Sequence, residues 1–210
     1  MKSRAVLLAM AVLIALPTTV GAASPVRVDQ PGTYSKETIP LGQDSKGREI
    51  SATLESIEVN GLLTAEMRAA TDWRALASVS RPSTAVAPLG RVVTAATSYK
   101  TIGRRYTALN YLGGVVIQYT VWQEFGYDGR NIVYTPAPTK DHIANFGWTL
   151  TDNNERAWWI SAPTYRASRG TFAFKRMIWS PFGDIGVGEK SSWVQVNYRG
   201  TGSWSGQNGS

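Results

Sequence analysis

A chain of 210 residues with no cysteine, 43% hydrophobic and 18% charged residues has the composition of one ordinary globular domain with a small appendage. Collagen-like, coiled-coil and strongly charged disordered chains are excluded, as are disulfide scaffolds, thiolate zinc sites, iron–sulfur clusters and thiol nucleophiles. A net charge of +7 favours anionic partners, and a single histidine, His142, rules out a multi-histidine metal site within one chain.

Residues 1–23 read as a secretory signal: Lys2 and Arg4, an apolar run from Ala5 to Leu16, then the small-residue exit Val20-Gly21-Ala22-Ala23. The apolar run is short of the roughly 20 residues a membrane-spanning helix needs. A lipoprotein is excluded because lipidation at the cleavage site requires cysteine. The expected location is therefore extracellular, or periplasmic in a host with an outer membrane. Without disulfides, stability has to come from core burial.

Residues 24–77 read as an N-terminal extension or pro-region, with only Tyr34 and Trp73 as aromatics; taken with the following linker, Ser24 to Ser98, the charges balance at eight basic and eight acidic. Ile50, Ala52, Leu54, Ile57 and Val59 predict strand structure after the turn-like Asp44-Ser45-Lys46-Gly47. Leu62 to Ser78 predicts one helix, which Thr64 caps only partially because Met67 stands where a capping box wants Glu or Gln. Residues 78–98, rich in Ser, Thr, Ala and Pro, read as a linker, with an extended strand at Arg91–Thr94 as the alternative.

Residues 99–210 hold the other 20 aromatics and carry a net +5. Val115 to Tyr127 alternates as a long strand, with Val115, Ile117, Tyr119, Val121 and Phe125 on the apolar side. Trp122 and Glu124 fall on the polar side. Asp128-Gly129 signals a hairpin returning through Ile132–Tyr134, and Pro136 and Pro138 stop that strand. Another strand starts at Phe146–Leu150, Asp152-Asn153-Asn154 is the next turn, and Ala157–Ile160 follows. Thr171–Trp179 and Ser192–Tyr198 supply two more strands around the Pro181 and Gly183 turn. Short strands with turn signals every ten or so residues predict a mainly β fold, an antiparallel sandwich or barrel.

Chemistry-bearing motifs are sparse. His142 follows Asp141 directly, so the two point apart in an extended segment, and no Gly-x-Ser-x-Gly elbow supplies a nucleophile. Glu124 and Glu155 are the candidate carboxylates for a glycoside hydrolase, which needs two across a cleft. Asp152 to Glu155 lacks a calcium-loop pattern, and Gly183-x-x-Gly186-x-Gly188 does not open a helix, so no metal and no cofactor is expected.

Aromatics are the better lead. Trp158 and Trp159 must face opposite sides of a sheet. Trp193, Gln195 and Asn197 share the face opposite Val194, Val196 and Tyr198. Exposed indoles beside amides or carboxylates can hold a sugar, its C–H face on the ring and its hydroxyls on the polar groups. The expected ligand contacts are Trp122, Glu124, Trp158, Trp159, Trp193, Gln195 and Asn197. Arg166, Arg169, Lys175 and Arg176 are the expected anion site, with Arg104 and Arg105 as further cations.

These residues point first to an exported, non-catalytic module that recognises polysaccharide or an anionic cell-envelope component. The alternatives are a cationic protein acting at the envelope or membrane surface and a carboxylate-dependent glycoside hydrolase. Nucleic acid is not an expected partner outside the cytoplasm.

Overall fold

The structure, a computed structural model, describes residues 32–43, 46–69, 72–78, 97–180 and 183–209, with the side chains of 178–187 outside that description. The expected export signal, residues 1–23, and residues 79–96 of the expected linker lie outside the described residues. The strands are β1 (Thr33–Gln43), β2 (Glu49–Asn60), β3 (Ser98–Leu109), β4 (Val115–Tyr127), β5 (Ile132–Tyr134), β6 (Thr139–Ala144), β7 (Trp148–Ser161), β8 (Tyr165–Ser180), β9 (Gly183–Arg199) and β10 (Trp204–Gly209). Two short helices, α1 (Ala65–Arg68) and α2 (Trp73–Ser78), separate β2 from β3.

All pairings are antiparallel. The first sheet runs β1-β2-β3-β4, with β5 and β6 end to end along the far edge of β4; the second runs β10-β9-β8-β7. The fold is thus a sandwich of two open sheets and not a closed barrel. β1 and β2 come from the aromatic-poor segment and are hydrogen-bonded into the first sheet through β3.

The alternation of β4 sets which residues fill the space between the sheets. Ile117, Tyr119, Val121 and Phe125 face inward and are buried, with Gln123 as the single polar member of that row. Opposite them stand Phe172 and Phe174 of β8 and Val194, Val196 and Tyr198 of β9, all without measurable exposure. Tyr119 joins the layers, stacking on Tyr106 of its own sheet at 5.0 Å and on Phe172 of the other at 4.7 Å. Each such ring removes about 150–250 Å² from water, which stabilises the sandwich without disulfides.

Gln123 is accommodated because its polar atoms are satisfied. Ser168 Oγ donates to Gln123 Oε1 at 2.5 Å, and Gln123 Nε2 donates to the carbonyls of Glu124 (2.6 Å) and Pro136 (3.2 Å). Tyr198 and Thr135 complete this buried cross-sheet network through their hydroxyls, 2.7 Å apart. Satisfied in this way, a buried amide fixes sheet alignment at little net cost.

The outer face of the first sheet is covered. Ile57, Val59, Leu63, Trp73, Leu76, Ala77 and Trp122 form a second apolar cluster between that face and the helices. One helix over 62–78 was the sequence expectation; two short ones are found, flanking residues 70–71. Thr64 does cap α1, accepting from the Met67 N–H at 3.3 Å. The predicted Asp152-Asn153-Asn154 turn is likewise replaced: β7 runs through it with a register shift between Leu150 and Asp152. A bulge absorbs the irregularity there, so the polar run stays paired to β8.

The two ends of the sandwich differ. At one, the turns after β4, β7 and β9 interlock, with Ile132 N donating to Pro163 O (2.8 Å) and Gly200 N to Thr164 O (2.9 Å). At the other, the β3–β4 and β6–β7 turns present Tyr111, Leu112 and Phe146 to solvent. Phe146 holds φ 55, a left-handed conformation that bulky side chains avoid.

Candidate functional site

Among the described residues no element packs over the outer face of the second sheet, which carries a group of ligand-competent side chains. Its residues follow from register. Trp158 of β7, Ala167 of β8, Asn197 of β9 and Ser205 of β10 lie in one cross-strand row; Arg156, Arg169, Gln195 and Gln207 form the next; Asn154, Thr171, Trp193 and Gly209 form a third. Small residues sit where the indoles lie down. A Cβ at Gly209 would come within 2.7 Å of the Trp193 ring.

Arg169 organises this face. Its guanidinium stands 4.0 Å from the centroid of Trp193 and 5.6 Å from that of Trp158, so one cation is flanked by two indoles. Arg156 also approaches Trp158, at 5.5 Å. Arg169 Nε and NH2 both donate to Gln195 Oε1, at 2.9 and 2.6 Å. Gln195 Nε2 donates in turn to Asn197 Oδ1 (2.6 Å) and Gln207 Oε1 (3.3 Å). A guanidinium held by a fixed amide and two ring faces loses little further freedom on binding, at about 0.5–1 kcal/mol per exposed cation–π contact.

The expected contact residues therefore divide. Trp158 and Trp193 are half-buried on this face, as the alternation of their strands implies. Gln195 and Asn197 share the face, but at 5% and 4% exposure their amides are spent on each other and on Arg169, so they position the site and do not line it. Trp159 points the other way and lies under Arg166, 4.9 Å from its ring.

Trp122 and Glu124 are corrected outright. They occupy the outer face of the first sheet, as the alternation predicts, but that face is not wet. Trp122 is 4% exposed and packs on Trp73 at 4.7 Å. Glu124 Oε1 accepts from Arg68 NH1 of α1 at 2.6 Å. The helices claim this face because Trp73, Leu76 and Leu63 need an apolar surface to cover. Glu155, the other hydrolase candidate, belongs to the second sheet and pairs with Lys140 at 2.7 Å. The two carboxylates thus stand on different sheets, each engaged by a cation.

Nor do the four expected anion-site cations gather. Arg166, Arg169, Lys175 and Arg176 all belong to β8, and alternation divides them: Arg169 and Lys175 project outward with Trp158 and Trp193, Arg166 and Arg176 toward the first sheet. Lys175 is 3.5 Å from Glu189. His142 lies in β6 and not in a loop, exposed, with its backbone N–H bonded to Asp141 Oδ1 at 2.7 Å. Sequence reasoning missed Arg156, Asn154 and Gln207. Their signal was available as neighbours in register, which no single strand reveals.

A partly buried triad lies beneath the helices. Glu55 accepts from the Tyr34 hydroxyl at 2.6 Å and from Arg105 Nε at 2.8 Å, and Arg105 stacks 4.2 Å from the Trp73 ring. Burial works against the charged form of Glu55, yet the bonds from Tyr34 and Arg105 outweigh it and hold the carboxyl below its ordinary range. Burial and the same carboxylate push the Tyr34 phenol up to about 12. With its acceptor sites occupied, this carboxylate is structural.

No protein-family model, no curated protein and no solved structure matches the chain.

Proposed function

We propose that the protein is an exported, non-catalytic binding module that recognises polysaccharide, of the cell envelope or the environment, on the outer face of its second sheet. One observation carries the reading: Trp158 and Trp193 flank the guanidinium of Arg169, which Gln195 and Asn197 hold in place. Half-buried indoles give a sugar ring a surface to stack on, while Arg156, Asn154 and Gln207 supply donors and acceptors for its hydroxyls. Arg156 and Arg169 also suit a polymer bearing carboxylate or phosphate groups.

The test is retention on a panel of insoluble neutral and acidic glycans. Wild-type protein is expected to be retained on at least one, and Trp193→Ala and Trp158→Ala to lose about tenfold in affinity while melting within a few degrees of wild type. Absence of retention on every glycan, or equal retention by both variants, rejects the assignment.

A further inference from the structure

The end of the sandwich away from the interlocked turns has a second surface, of different chemistry. Large apolar side chains are exposed there: Leu112 at 77% and Phe146 at 63%, together with Leu41, Tyr111 and Ile143. They sit on neighbouring elements, the end of β1, the β3–β4 turn and the flanks of the β6–β7 turn. Contiguous apolar groups at one end of a molecule mark a contact surface, whereas single exposed hydrophobics do not.

Between these turns the sheets part into a cleft of about 440 Å³, within the size range of ligand sites. The first sheet gives it an apolar wall that includes Ile50, Ala108 and Ile117. The second sheet gives it cations: in the inward rows Arg176 follows Phe172 and Phe174 on β8, and Lys190 lies beyond Val194 and Ser192 on β9. Arg48 lies across from them, its guanidinium 3.3 Å from the Tyr111 ring. Among its described lining residues the cleft has three cations and no carboxylate. Glu49 and Glu189 are nearby, both exposed, and Glu189 is directed to Lys175.

We infer that this end docks on anionic bilayers, with Leu112 and Phe146 entering the interface while Arg176 and Lys190 receive a lipid phosphate. Charge complementarity chooses this occupant. A neutral glycan would bring no anion to Arg176 and Lys190 and no apolar surface to the wall, whereas a phospholipid presents phosphate and hydrocarbon in one molecule. The surface is separate from the indole face of the second sheet and does not depend on the glycan reading.

The experiment is flotation of the protein with vesicles of phosphatidylglycerol and phosphatidylcholine in equal parts, and with phosphatidylcholine alone. Wild type is expected to float with the anionic vesicles only, less so as salt rises. Leu112→Ser and Phe146→Ser, at positions the core does not use, each lower partitioning about tenfold; Arg176→Gln and Lys190→Gln each lower it about fivefold. Trp193→Ala leaves it unchanged, so failure of the lipid assignment and of the glycan assignment are read separately. The proposal is overturned by absence of anionic-vesicle binding, by equal binding to neutral vesicles, or by tip variants that float like wild type. It is also overturned if Leu112→Ser abolishes a concentration-dependent dimer in a protein that does not float, which assigns the surface to a second copy of the chain.

Discussion

Replacing Trp122 by alanine separates two roles for one residue. If the side chain met a ligand, truncation would cost binding and little stability; buried under α2, it has to cost stability. At 4% exposure nearly the whole indole is out of water, and it contacts Trp73 at 4.7 Å between ring centroids. Some 200 Å² of apolar surface at about 25 cal/mol per Å² gives roughly 5 kcal/mol, of which alanine retains about one. A loss of about 4 kcal/mol also lies within the range for truncating buried aromatics. The strand beneath cannot close the hole, because Gly103 has no side chain to refill it: a Cβ there would already lie 2.4 Å from the indole. For a chain of this length the expected fall in Tm is about 8–16 °C, and the urea midpoint should drop by about 1.5–2 M with the slope unchanged. Circular dichroism under both perturbations is sufficient. Trp73→Ala should cost a similar amount, and the double variant less than the sum, by about 0.5–1.5 kcal/mol. A Trp122→Ala protein within about 1 kcal/mol of wild type would refute the packing of α2 on this sheet.

Two further outcomes follow from groups the apolar core has to tolerate. Glu55→Gln removes the charge that Tyr34 and Arg105 address and should cost about 2–3 kcal/mol at neutral pH. Because the folded carboxyl titrates below its ordinary value, its contribution is complete above the unfolded pKa and is lost as pH falls through the folded one. Urea midpoints taken from pH 7 to pH 3 should thus fall more steeply in wild type than in the variant, and parallel profiles would refute the triad. Arg104 is the opposite case. Its guanidinium is buried between the sheets against Gly206, its Nε has no hydrogen-bond partner, and the contact from NH2 to Asn208 Oδ1 is long at 3.5 Å. Desolvation lowers its pKa from the usual value, against a weaker pull from Glu37. Arg104→Met should leave stability unchanged or raise it by about 1–2 kcal/mol; a loss beyond about 1 kcal/mol in chemical denaturation would contradict this account of the site.

Strands that declare themselves in sequence are those with one apolar face. β4 is legible from end to end because Ile117, Tyr119, Val121 and Phe125 recur at every second or fourth position. The inward and outward rows of β9 were legible for the same reason. β3 was not, although it is central: its outward row holds Thr101, Gly103 and Arg105 and its inward row breaks at Arg104, so neither reads as core. β1 was missed because it is a sheet edge, mostly exposed and interrupted by Pro40, which an edge tolerates and a central strand does not. At the site, alternation placed Trp193, Gln195 and Asn197 on one face and Trp158 and Trp159 on opposite faces; which of the two joins Trp193 came only from the register of β7, β8 and β9. What alternation cannot show is what lies over a face. Trp122 and Trp193 have similar local surroundings in sequence, yet one is covered by a helix about fifty residues upstream and the other is not. Trp73, a lone tryptophan in an aromatic-poor stretch, was the available hint that this segment had something to bury.

Consecutive strands are neighbours almost throughout, and the chain passes from one sheet to the other at a single point, the turn at Asn145–Gly147. Each sheet is thus built from one contiguous part of the described chain, and most of its strand pairs are successive strands. For a β protein this keeps most loop closures short, so the slow event expected in folding is the docking of the two sheets and not the pairing of distant strands. Until that docking occurs, Tyr119 and Phe172 remain in water. The greatest exposure to aggregation therefore falls late in folding and is set by how quickly one turn lets the two layers close.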